Sequence, residues 1–193
     1  MHYYNSDQDS KFIKQEITEV IREKEYKFIT GSGVFSVKKV DKGSLLLAEK
    51  CLIKDNSSVL DFGCGYGVIG IVVATEFPKA KVTMSDVNKR AILLAKENSE
   101  HLDNVKVFKS DLFKNIEDKF DTILLNPPYV AGRNICFKMV EESKKHLKKK
   151  GSLQLVFRHQ KGGKAIMKKM KEIFGNVEVI AKKSGYRVYV SSL

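Results

Sequence analysis

The sequence is poor in proline and cysteine, with three of each in 193 residues, and it has no long apolar run. No stretch of about 18 consecutive apolar residues occurs, so we expect no membrane-spanning helix. Residues 1–12, MHYYNSDQDSKF, are polar and lack the apolar centre of a secretory signal. Cys51, Cys64 and Cys136 are odd in number, and their spacing fits neither a disulfide framework nor a zinc site. We therefore expect reduced thiols and a cytoplasmic location. The four scattered histidines give no reason to expect a metal site.

Acidic residues are scarce in one part of the chain only. Residues 1–132 carry 19 basic and 19 acidic side chains, whereas residues 133–193 carry 16 basic and 4 acidic ones. The net charge of +12 therefore lies entirely in the last third. Lysines in KKHLKKKG, residues 144–151, could simply complement a helix dipole. The basic residues on either side of that run are too many for this explanation, and clustered positive charge is typical of proteins that bind polyanions such as RNA.

Two of the three prolines are adjacent, in Asn126-Pro127-Pro128-Tyr129, directly after an apolar run. Each proline fixes its own φ and donates no backbone hydrogen bond. Asn126 precedes a proline and is disfavoured in helical backbone. The stretch therefore predicts a stiff corner that carries an amide, carbonyl groups and a ring. Such a corner can hold a planar amine, because the Asn126 side-chain oxygen and the Pro127 carbonyl accept from N–H groups and Tyr129 can stack on a base.

Apolar runs of strand length alternate with helical patterns from residue 45 onward. This alternation indicates βαβ units and a parallel sheet with helices on both faces. The last two strands have a short connection, which favours an antiparallel pair at the sheet edge. We therefore predict an α/β, Rossmann-like fold with a mostly parallel seven-stranded sheet and an antiparallel edge strand. The predicted strands cover residues 57–63, 80–86, 105–111, 120–126, 152–158, 176–181 and 186–192, and the predicted helices cover residues 68–77, 88–102, 134–150 and 164–174.

Residues 1–43 follow a different pattern from the rest of the chain. ITEVI at 17–21 and YKFIT at 26–30 alternate apolar and polar residues around the charged REKE. This pattern is typical of a β-hairpin. A segment of this length buries too little surface to be stable alone. We therefore expect residues 1–43 to be an extension that packs on a main domain of residues 44–193.

The segment VLDFGCGYGVIG, residues 59–70, places glycines between a predicted strand and a predicted helix. Glycines there allow a tight turn and close approach of the backbone to a ligand, and the helix N-terminus presents N–H groups. Residues 65–70 match G-x-G-x-x-G, which by itself favours a nicotinamide dinucleotide. Asp61 argues against that ligand, because a carboxylate at the strand end suits a cationic group better than a pyrophosphate.

Polar side chains also follow the other central strands. Ligands of open α/β sheets bind at the carboxyl ends of the strands, where Asp86, Asp111 and Asn126 are expected. Asp86 stands 19 residues after Gly67, a suitable reach to accept from both hydroxyls of a ribose. Asp111 can accept from an adenine amino group, since an ionised carboxylate only accepts. Either aspartate could instead cap a helix, but the sheet topology directs both to one crevice.

Together, VLDFGCGYGVIG, Asp86, SDLF and NPPY resemble class I S-adenosylmethionine-dependent methyltransferases. FITGSGVFSVKKVDKGSLLL, residues 28–47, followed by DFGCGYG, resembles more closely the RsmC-like group, the "methyltransferase small" domain, in its shorter single-domain form. The resemblance covers nearly the whole chain, up to the ending IFGNVEVIAKKSGYRVYV. It implies a class I methyltransferase fold and S-adenosylmethionine as cofactor. It also implies methyl transfer to the N2 amine of a guanine in 16S ribosomal RNA.

The resemblance further implies where the cofactor lies. Its methionine moiety is expected on the glycines of the turn, with the ammonium near Asp61. Its ribose is expected at Asp86, and its adenine against Asp111 and Leu112. Residues 33–35 are expected to fold over this pocket. The residues assigned to the cofactor are Phe35, Asp61, Gly63, Cys64, Gly65, Gly67, Asp86, Val87, Asp111, Leu112 and Asn126.

The substrate is assigned to the corner and to two arginines. Asn126, Pro127, Pro128 and Tyr129 are expected to hold the amine that is methylated. Arg133, one loop turn further on, and Arg158, at the end of a predicted strand, are expected to contact RNA phosphates and to position the RNA without reading its sequence. Ribosomal RNA or the small ribosomal subunit is the expected partner.

The identity of the substrate leaves alternatives open. The family often has phenylalanine or an aliphatic residue where Tyr129 stands, and tyrosine also occurs there in adenine-N6 and protein glutamine-N5 methyltransferases. Either activity is the alternative to guanine-N2 methylation. A nicotinamide oxidoreductase and a non-enzymatic RNA-binding relic are further rivals. The intact glycines and the intact Asn126-Pro127-Pro128-Tyr129 argue against a relic, which would be expected to lose such residues.

Overall fold

The computed structural model of the chain describes residues 11–128 and 132–193. A β-hairpin precedes a seven-stranded sheet that carries helices on both faces. In chain order the elements are β1 (Lys14–Ile21), β2 (Lys24–Gly31), α1 (Lys42–Lys50), β3 (Ser58–Phe62), α2 (Val68–Glu76), β4 (Lys81–Asp86), α3 (Lys89–Asn98), β5 (Val105–Lys109), β6 (Phe120–Leu125), α4 (Arg133–Lys145), β7 (Leu147–Arg158), α5 (Gly163–Phe174), β8 (Glu178–Lys183) and β9 (Tyr186–Ser192).

The large sheet has the strand order β5-β4-β3-β6-β7-β9-β8. The pairs among β3, β4, β5, β6 and β7 are parallel, and β9 is antiparallel to both of its neighbours. The predicted fold class is confirmed, with the antiparallel strand lying next to the edge strand β8. From β3 the chain adds β4 and β5 on one side. It then returns to the other side of β3 with β6, followed by β7, β8 and β9. Such a reversal opens a crevice at the carboxyl ends of β3 and β6.

The two faces of the sheet are covered by separate apolar clusters. One cluster contains residues of α1, α2 and α3, and the other contains residues of α4 and α5. Successive strand residues enter opposite clusters, because side chains alternate across a strand. In β6, for example, Leu124 packs on the first face, while Ile123 and Leu125 pack on the second. Packing on both faces therefore fixes the register of the strands that end at the crevice.

One predicted helix ends earlier than expected. The pattern predicted a helix over residues 134–150 that Gly151 ends, but α4 ends at Lys145 and β7 already begins at Leu147. Leu147 is buried and pairs with Phe120, whose backbone N–H donates to the His146 carbonyl at 2.8 Å. The sheet pairing of Leu147 thus overrides the helix preference of the three lysines that follow it. The predicted helix over residues 88–102 likewise ends sooner, at Asn98.

The structure also contains a helix, α1, that the sequence pattern did not predict. Its first turn, KGS, is poor in helix formers. The local signal for its start is Asp41, whose carboxylate accepts from the backbone N–H groups of Gly43 and Ser44. This is an N-cap, which satisfies donors that a helix start leaves open.

The hairpin is tied to the sheet domain by hydrogen bonds as well as by apolar contacts. The buried Asn98 side chain of α3 accepts from the Ile29 N–H at 2.7 Å and donates to the Ile29 carbonyl at 2.8 Å. It also donates to the Tyr66 carbonyl in the glycine turn at 2.9 Å. The predicted hairpin is present, and α1 begins at Lys42, just before the predicted domain boundary. The division into an extension and a main domain stays a prediction.

Cys51, Cys64 and Cys136 are all buried and form no disulfide. Among the described residues, no helix combines the length and the apolar character that crossing a bilayer requires.

Candidate active site

A cavity of about 270 Å³ lies at the carboxyl edge of the sheet, where β3, β4 and β6 end. Most of the residues that the sequence assigned to a ligand line it, which means that the topology brings them together from distant parts of the chain. The assigned residues in its wall are Phe35, Gly63, Cys64, Gly65, Asp86, Val87, Asp111, Leu112, Asn126, Pro127 and Pro128. Asp61, Gly67, Arg133 and Arg158 do not line it, and Tyr129 lies outside the described residues.

The glycine turn between β3 and α2 forms the floor of the cavity. Gly63 and Gly65 have φ of +75° and +58°, in the left-handed region that side chains rarely adopt. A Cβ added to Gly65 would meet no atom of the described residues within 4 Å, so a side chain there would project into open space. Gly67 is the N-cap of α2 and has φ of +99°. A Cβ added there would lie 2.9 Å from Ile71 Cδ1.

Asp86 joins the glycine turn to the end of β4. Its Oδ2 accepts from the Gly65 N–H at 2.9 Å, and its Oδ1 accepts from the Asn88 N–H at 2.8 Å. Burial raises the pKa of this carboxyl, while the backbone donors oppose the rise. Each carboxylate oxygen has two lone pairs. Asp86 can therefore hold the turn in place and still accept from hydroxyl groups of a ligand in the cavity.

Asp61 lies behind the turn rather than in the cavity wall. Its Oδ2 accepts from the Gly70 N–H at 2.8 Å, and its Oδ1 is buried with no hydrogen-bond partner among the described residues. Burial is the main cause that raises the pKa of Asp61 to about 7; the nearby Asp86 charge adds to the rise, and the Gly70 N–H opposes it. An unpaired buried carboxylate oxygen is costly. A cationic group of a ligand would relieve that cost.

The adenine-binding residues predicted after β5 form one side of the cavity. Asp111 is exposed and forms an ion pair with Lys114. Leu112 adopts a left-handed backbone with φ of +52°, and its carbonyl accepts from Ser110 Oγ at 2.7 Å. The turn therefore presents an acceptor and an apolar surface together, which is what an adenine ring with its amino group requires.

The segment 32–36 closes the cavity from the side of the hairpin. Phe35 and Ser36 line it. The Asn88 Nδ2 donates to the Gly33 carbonyl at 2.8 Å, and Arg90 Nη1 donates to the Ser32 carbonyl at 3.1 Å. These bonds fix the segment to the start of α3, directly beside Asp86.

The proline corner follows β6 at the opposite end of the cavity. Asn126 is half-buried and donates both hydrogens of its amide: Nδ2 lies 3.0 Å from Asp41 Oδ2 and 2.9 Å from Ser44 Oγ. Asp41 and Ser44 belong to the start of α1 and also line the cavity. Sequence reasoning missed these two residues. The available signal was the capping pattern of an aspartate followed by glycine and serine before an apolar run.

The two arginines assigned to the substrate are exposed at the same edge of the sheet. Arg133 starts α4, and Arg158 ends β7, where its guanidinium lies 5.7 Å from the Tyr186 ring centroid. Beyond Arg158 the turn between β8 and β9 borders an open concavity of about 320 Å³, which we call the basic groove. No acidic residue of the described part of the chain lines it. Its lining residues are His159, Gln160, Lys182, Lys183, Ser184, Gly185, Tyr186 and Arg187.

The cavity fits S-adenosylmethionine in three respects. The open space over Gly65 admits a ligand against the backbone, Asp61 leaves a buried carboxylate oxygen unpaired behind the turn, and Asp86 with Asp111 offers acceptors for ribose and adenine. The pKa of the Cys64 thiol is raised by burial and by the Asp61 and Asp86 charges, so Cys64 is not poised as a nucleophile in this cavity.

Comparison with known proteins identifies a matching family and similar chains. The model of the methyltransferase small domain family matches residues 25–190. The uncharacterized protein YbxB of Bacillus subtilis (strain 168) is 40% identical over 97% of this chain and 96% of its own length. Ribosomal RNA small subunit methyltransferase C of Haemophilus influenzae (strain PittEE) is 35% identical over 81% of this chain and 48% of its own length. The chain therefore spans about half the length of that relative.

A solved structure shares most of the architecture. The T. thermophilus 16S rRNA N2 methyltransferase RsmC, in complex with AdoMet and guanosine, superposes with a TM-score of 0.78 and 25% sequence identity. The match covers 93% of this chain and 50% of that one.

Proposed function

Because the chain belongs to the methyltransferase small domain family, whose cofactor is S-adenosylmethionine, we propose that it transfers a methyl group to the exocyclic N2 amine of a guanine in 16S ribosomal RNA. The observation that carries the proposal is the Asn126 amide. It stands in the wall of the cavity with both hydrogens already donated. Its oxygen is left to accept from an amine.

The residues of the glycine turn and the strand ends would hold the cofactor. Gly63 and Gly65 give the backbone room for the methionine moiety, with Asp61 Oδ1 behind them for the ammonium. Asp86 would accept from the ribose, and Asp111 with Leu112 would contact the adenine. Cys64, Val87 and Phe35 complete the wall. When bound, S-adenosylmethionine supplies a methyl group already activated on a sulfonium, so the leaving group needs no acid.

The proline corner would hold the amine. The lone pair of an exocyclic amine is delocalised into the ring, and the nitrogen must become tetrahedral to take the methyl group. The Asn126 oxygen and the Pro127 carbonyl would accept from its N–H groups and stabilise the positive charge that develops on nitrogen. The two prolines keep these acceptors fixed, so little reorganisation is needed. The methylated ammonium is acidic and loses its proton to water without a dedicated base.

The basic groove and its neighbours would bind the RNA backbone. Because β7 runs parallel to β6 and β9 pairs with β7, the groove lies on the same edge of the sheet as Asn126. Tyr186 of the groove also lies close to Gly43, in the first turn of α1, which holds Asn126. Arg158, Lys182 and Arg187 have no acidic partner within the described residues. Such unpaired cations are available for phosphates.

The nature of the product tests the proposal. Small ribosomal subunits from cells that lack the chain would be incubated with methyl-labelled S-adenosylmethionine, and the RNA would be digested to nucleosides. We expect label in N2-methylguanosine and none in the ribosomal proteins. Label in N6-methyladenosine or in protein glutamine would overturn the guanine assignment. Heat-inactivated chain is the control for label carried over from the preparation.

We also predict that replacing both Arg133 and Arg158 by alanine weakens RNA binding and flattens its salt dependence. Each lost phosphate contact lowers the slope of log Kd against log salt by about 0.7 to 0.9, so the double variant should lose about 1.4 to 1.8 in slope. The measurement is fluorescence anisotropy with a labelled 16S fragment at several salt concentrations.

The matched control removes two lysines from the opposite edge of the sheet. Lys145 ends α4 and Lys149 lies near the start of β7, and both are exposed. The Lys145→Ala, Lys149→Ala double variant changes the net charge equally and should keep most of the slope. Equal losses in the two double variants would show that net charge, rather than this edge, binds the RNA.

A further inference from the structure

The Asp41 carboxylate at the start of α1 has an unusual distribution of hydrogen bonds. Its Oδ2 accepts three, from the Gly43 N–H at 2.8 Å, the Ser44 N–H at 3.0 Å and Asn126 Nδ2 at 3.0 Å. Its Oδ1 accepts none from the described residues. One oxygen thus caps the helix and holds the corner, while the other is available in the wall of the cavity, which Asp41 lines.

Asp41 fixes the orientation of the Asn126 side-chain amide. A carboxylate only accepts hydrogen bonds, so only the NH₂ group of the amide can face it. The Ser44 hydroxyl, at 2.9 Å, takes the second hydrogen of that group. Asn126 Oδ1 accepts no bond from the described residues. If the amide were reversed, its oxygen would face the carboxylate and its NH₂ group would meet the hydrogens of the incoming amine.

The consequence is a pair of neighbouring acceptors. Asn126 Oδ1 and Asp41 Oδ1 belong to side chains that are hydrogen-bonded to each other and that line the same cavity. A planar group that places two adjacent N–H donors against this pair is bound well. A group with one N–H donor beside a lone pair is repelled at the carboxylate. Its lone pair then faces Asp41 Oδ1, and neither of these two acceptors receives a hydrogen bond.

The exocyclic amines that the family's chemistry could address differ in this respect. The N2 amine of guanine stands beside N1–H, which is a donor. The N6 amine of adenine stands beside N1, which is an acceptor, and the amide nitrogen of glutamine stands beside its own carbonyl oxygen. Guanine alone among these three offers a second donor next to the nitrogen to be methylated.

We propose that Asp41 positions Asn126 and determines specificity, accepting from guanine N1–H through Oδ1 while Asn126 accepts from the N2 amine. This assignment rests on the proposed methyl transfer to guanine. It adds a residue outside the glycine turn and the proline corner to the recognition of the substrate, and it gives a physical reason for the choice of guanine over adenine.

The test compares nucleosides that carry the same 2-amine but differ at N1 and in the neighbouring 6-oxo group. Guanosine carries the 2-amine and N1–H, whereas 2-aminopurine riboside carries the same amine but a lone pair at N1. With the chain saturated by S-adenosylhomocysteine, we expect guanosine to bind about tenfold or more tightly, as for one good hydrogen-bonded base contact. Titration calorimetry and the fluorescence of 2-aminopurine give the two dissociation constants.

The variant Asp41→Asn should remove or reverse this preference. Asparagine caps a helix about as well as aspartate, so the fold should persist, which a thermal melt checks. Its amide can donate to the N1 lone pair of 2-aminopurine, and its neutral oxygen accepts less strongly from guanine N1–H. Asp55→Asn, on an exposed turn, is the charge-matched control and should keep the wild-type ratio.

The variant Ser44→Ala separates the positioning of the Asn126 amide from the specificity for guanine. It removes one bond to Asn126 Nδ2 and leaves Asp41 in place. We expect kcat to fall several-fold while the guanosine to 2-aminopurine ratio stays the same. Equal affinities of the wild type for both nucleosides, no binding of guanosine at millimolar concentration, or an unchanged ratio in Asp41→Asn would overturn the proposal. Because these ratios are measured without turnover, failed methyl transfer to RNA would refute the proposed function separately.

Discussion

Replacing Asn126 by alanine should lower kcat for RNA methylation by about 10²- to 10³-fold, the usual effect of removing one fixed group that stabilises developing charge. The amide accepts from the amine in the transition state, and its removal also leaves Asp41 and Ser44 without their shared donor. The affinity for S-adenosylmethionine should change little, because the glycine turn and Asp86 are not disturbed. The measurement is label incorporation at saturating cofactor, together with calorimetry of cofactor binding.

The variant Asn126→Asp gives a sharper form of the same expectation. The introduced carboxylate would lie beside the Asp41 carboxylate, and like charges raise the pKa of such a group. While protonated, it can donate to Asp41 and present a carbonyl to the substrate, as asparagine does. Activity of this variant should therefore be highest at acidic pH and fall as the group ionises. Activity that rises with pH in this variant would show that orientation of the amide does not matter.

The affinity for S-adenosylmethionine should fall below pH 7, by up to tenfold per pH unit, because of Asp61. Burial raises the pKa of Asp61 to about 7 in the ligand-free chain. A cationic ammonium near Oδ1 favours the ionised carboxylate, so binding below that pKa must first release a proton. Calorimetry at pH 6 in two buffers of different ionisation enthalpy should detect the release of nearly one proton per cofactor bound.

Controls separate Asp61 from the other groups that titrate. S-adenosylhomocysteine keeps the ammonium and should show the same pH dependence, whereas an analogue without the α-amine should not. The variant Asp61→Asn should bind the cofactor with little pH dependence between pH 5 and pH 8. If the wild type and this variant released equal numbers of protons, the ammonium would not lie near Asp61.

The same carboxyl also affects the stability of the ligand-free chain. Its pKa is higher in the folded chain than in an unfolded chain, where it is about 3.9. Its contribution to stability is therefore fully present below about pH 4 and is lost as the pH rises through about 7. In Asp61→Asn, that part of the pH dependence should be absent.

The fold could be predicted well from the sequence because its signals are local and repeated. Each central strand is a short apolar run that ends in a polar or glycine residue, and each such end marks the edge where the ligand binds. The prediction was wrong where pairing between distant residues decides the structure. Lys148 to Lys150 carry no strand signal, and they lie in β7 between Leu147, which pairs with Phe120, and Ser152, which pairs with Thr122.

The candidate site could be predicted for the residues on strand ends, but not for Asp41 and Ser44. Their sequence signal is a helix cap, and a cap alone does not indicate which side chain it faces. The contact with Asn126 joins residues 82 and 85 positions apart in the chain. The position of Asp61 in the structure also differs from the one that the sequence predicted. Its place at the end of a strand predicted a ligand contact, while the structure shows that one of its oxygens accepts from Gly70 and the other is buried without a partner among the described residues.

The Asn98 side chain makes the hairpin a structural part of the cofactor pocket. Two of its three hydrogen bonds go to Ile29 and the third goes to Tyr66, between the glycines of the turn. A shortened chain that starts after β2 would leave a buried amide with unmet bonds, each costing about 1 to 3 kcal/mol, directly beside that turn. Shuffling of the hairpin between homologous proteins is therefore constrained: the strand that is exchanged must still present a backbone N–H and carbonyl to this one asparagine.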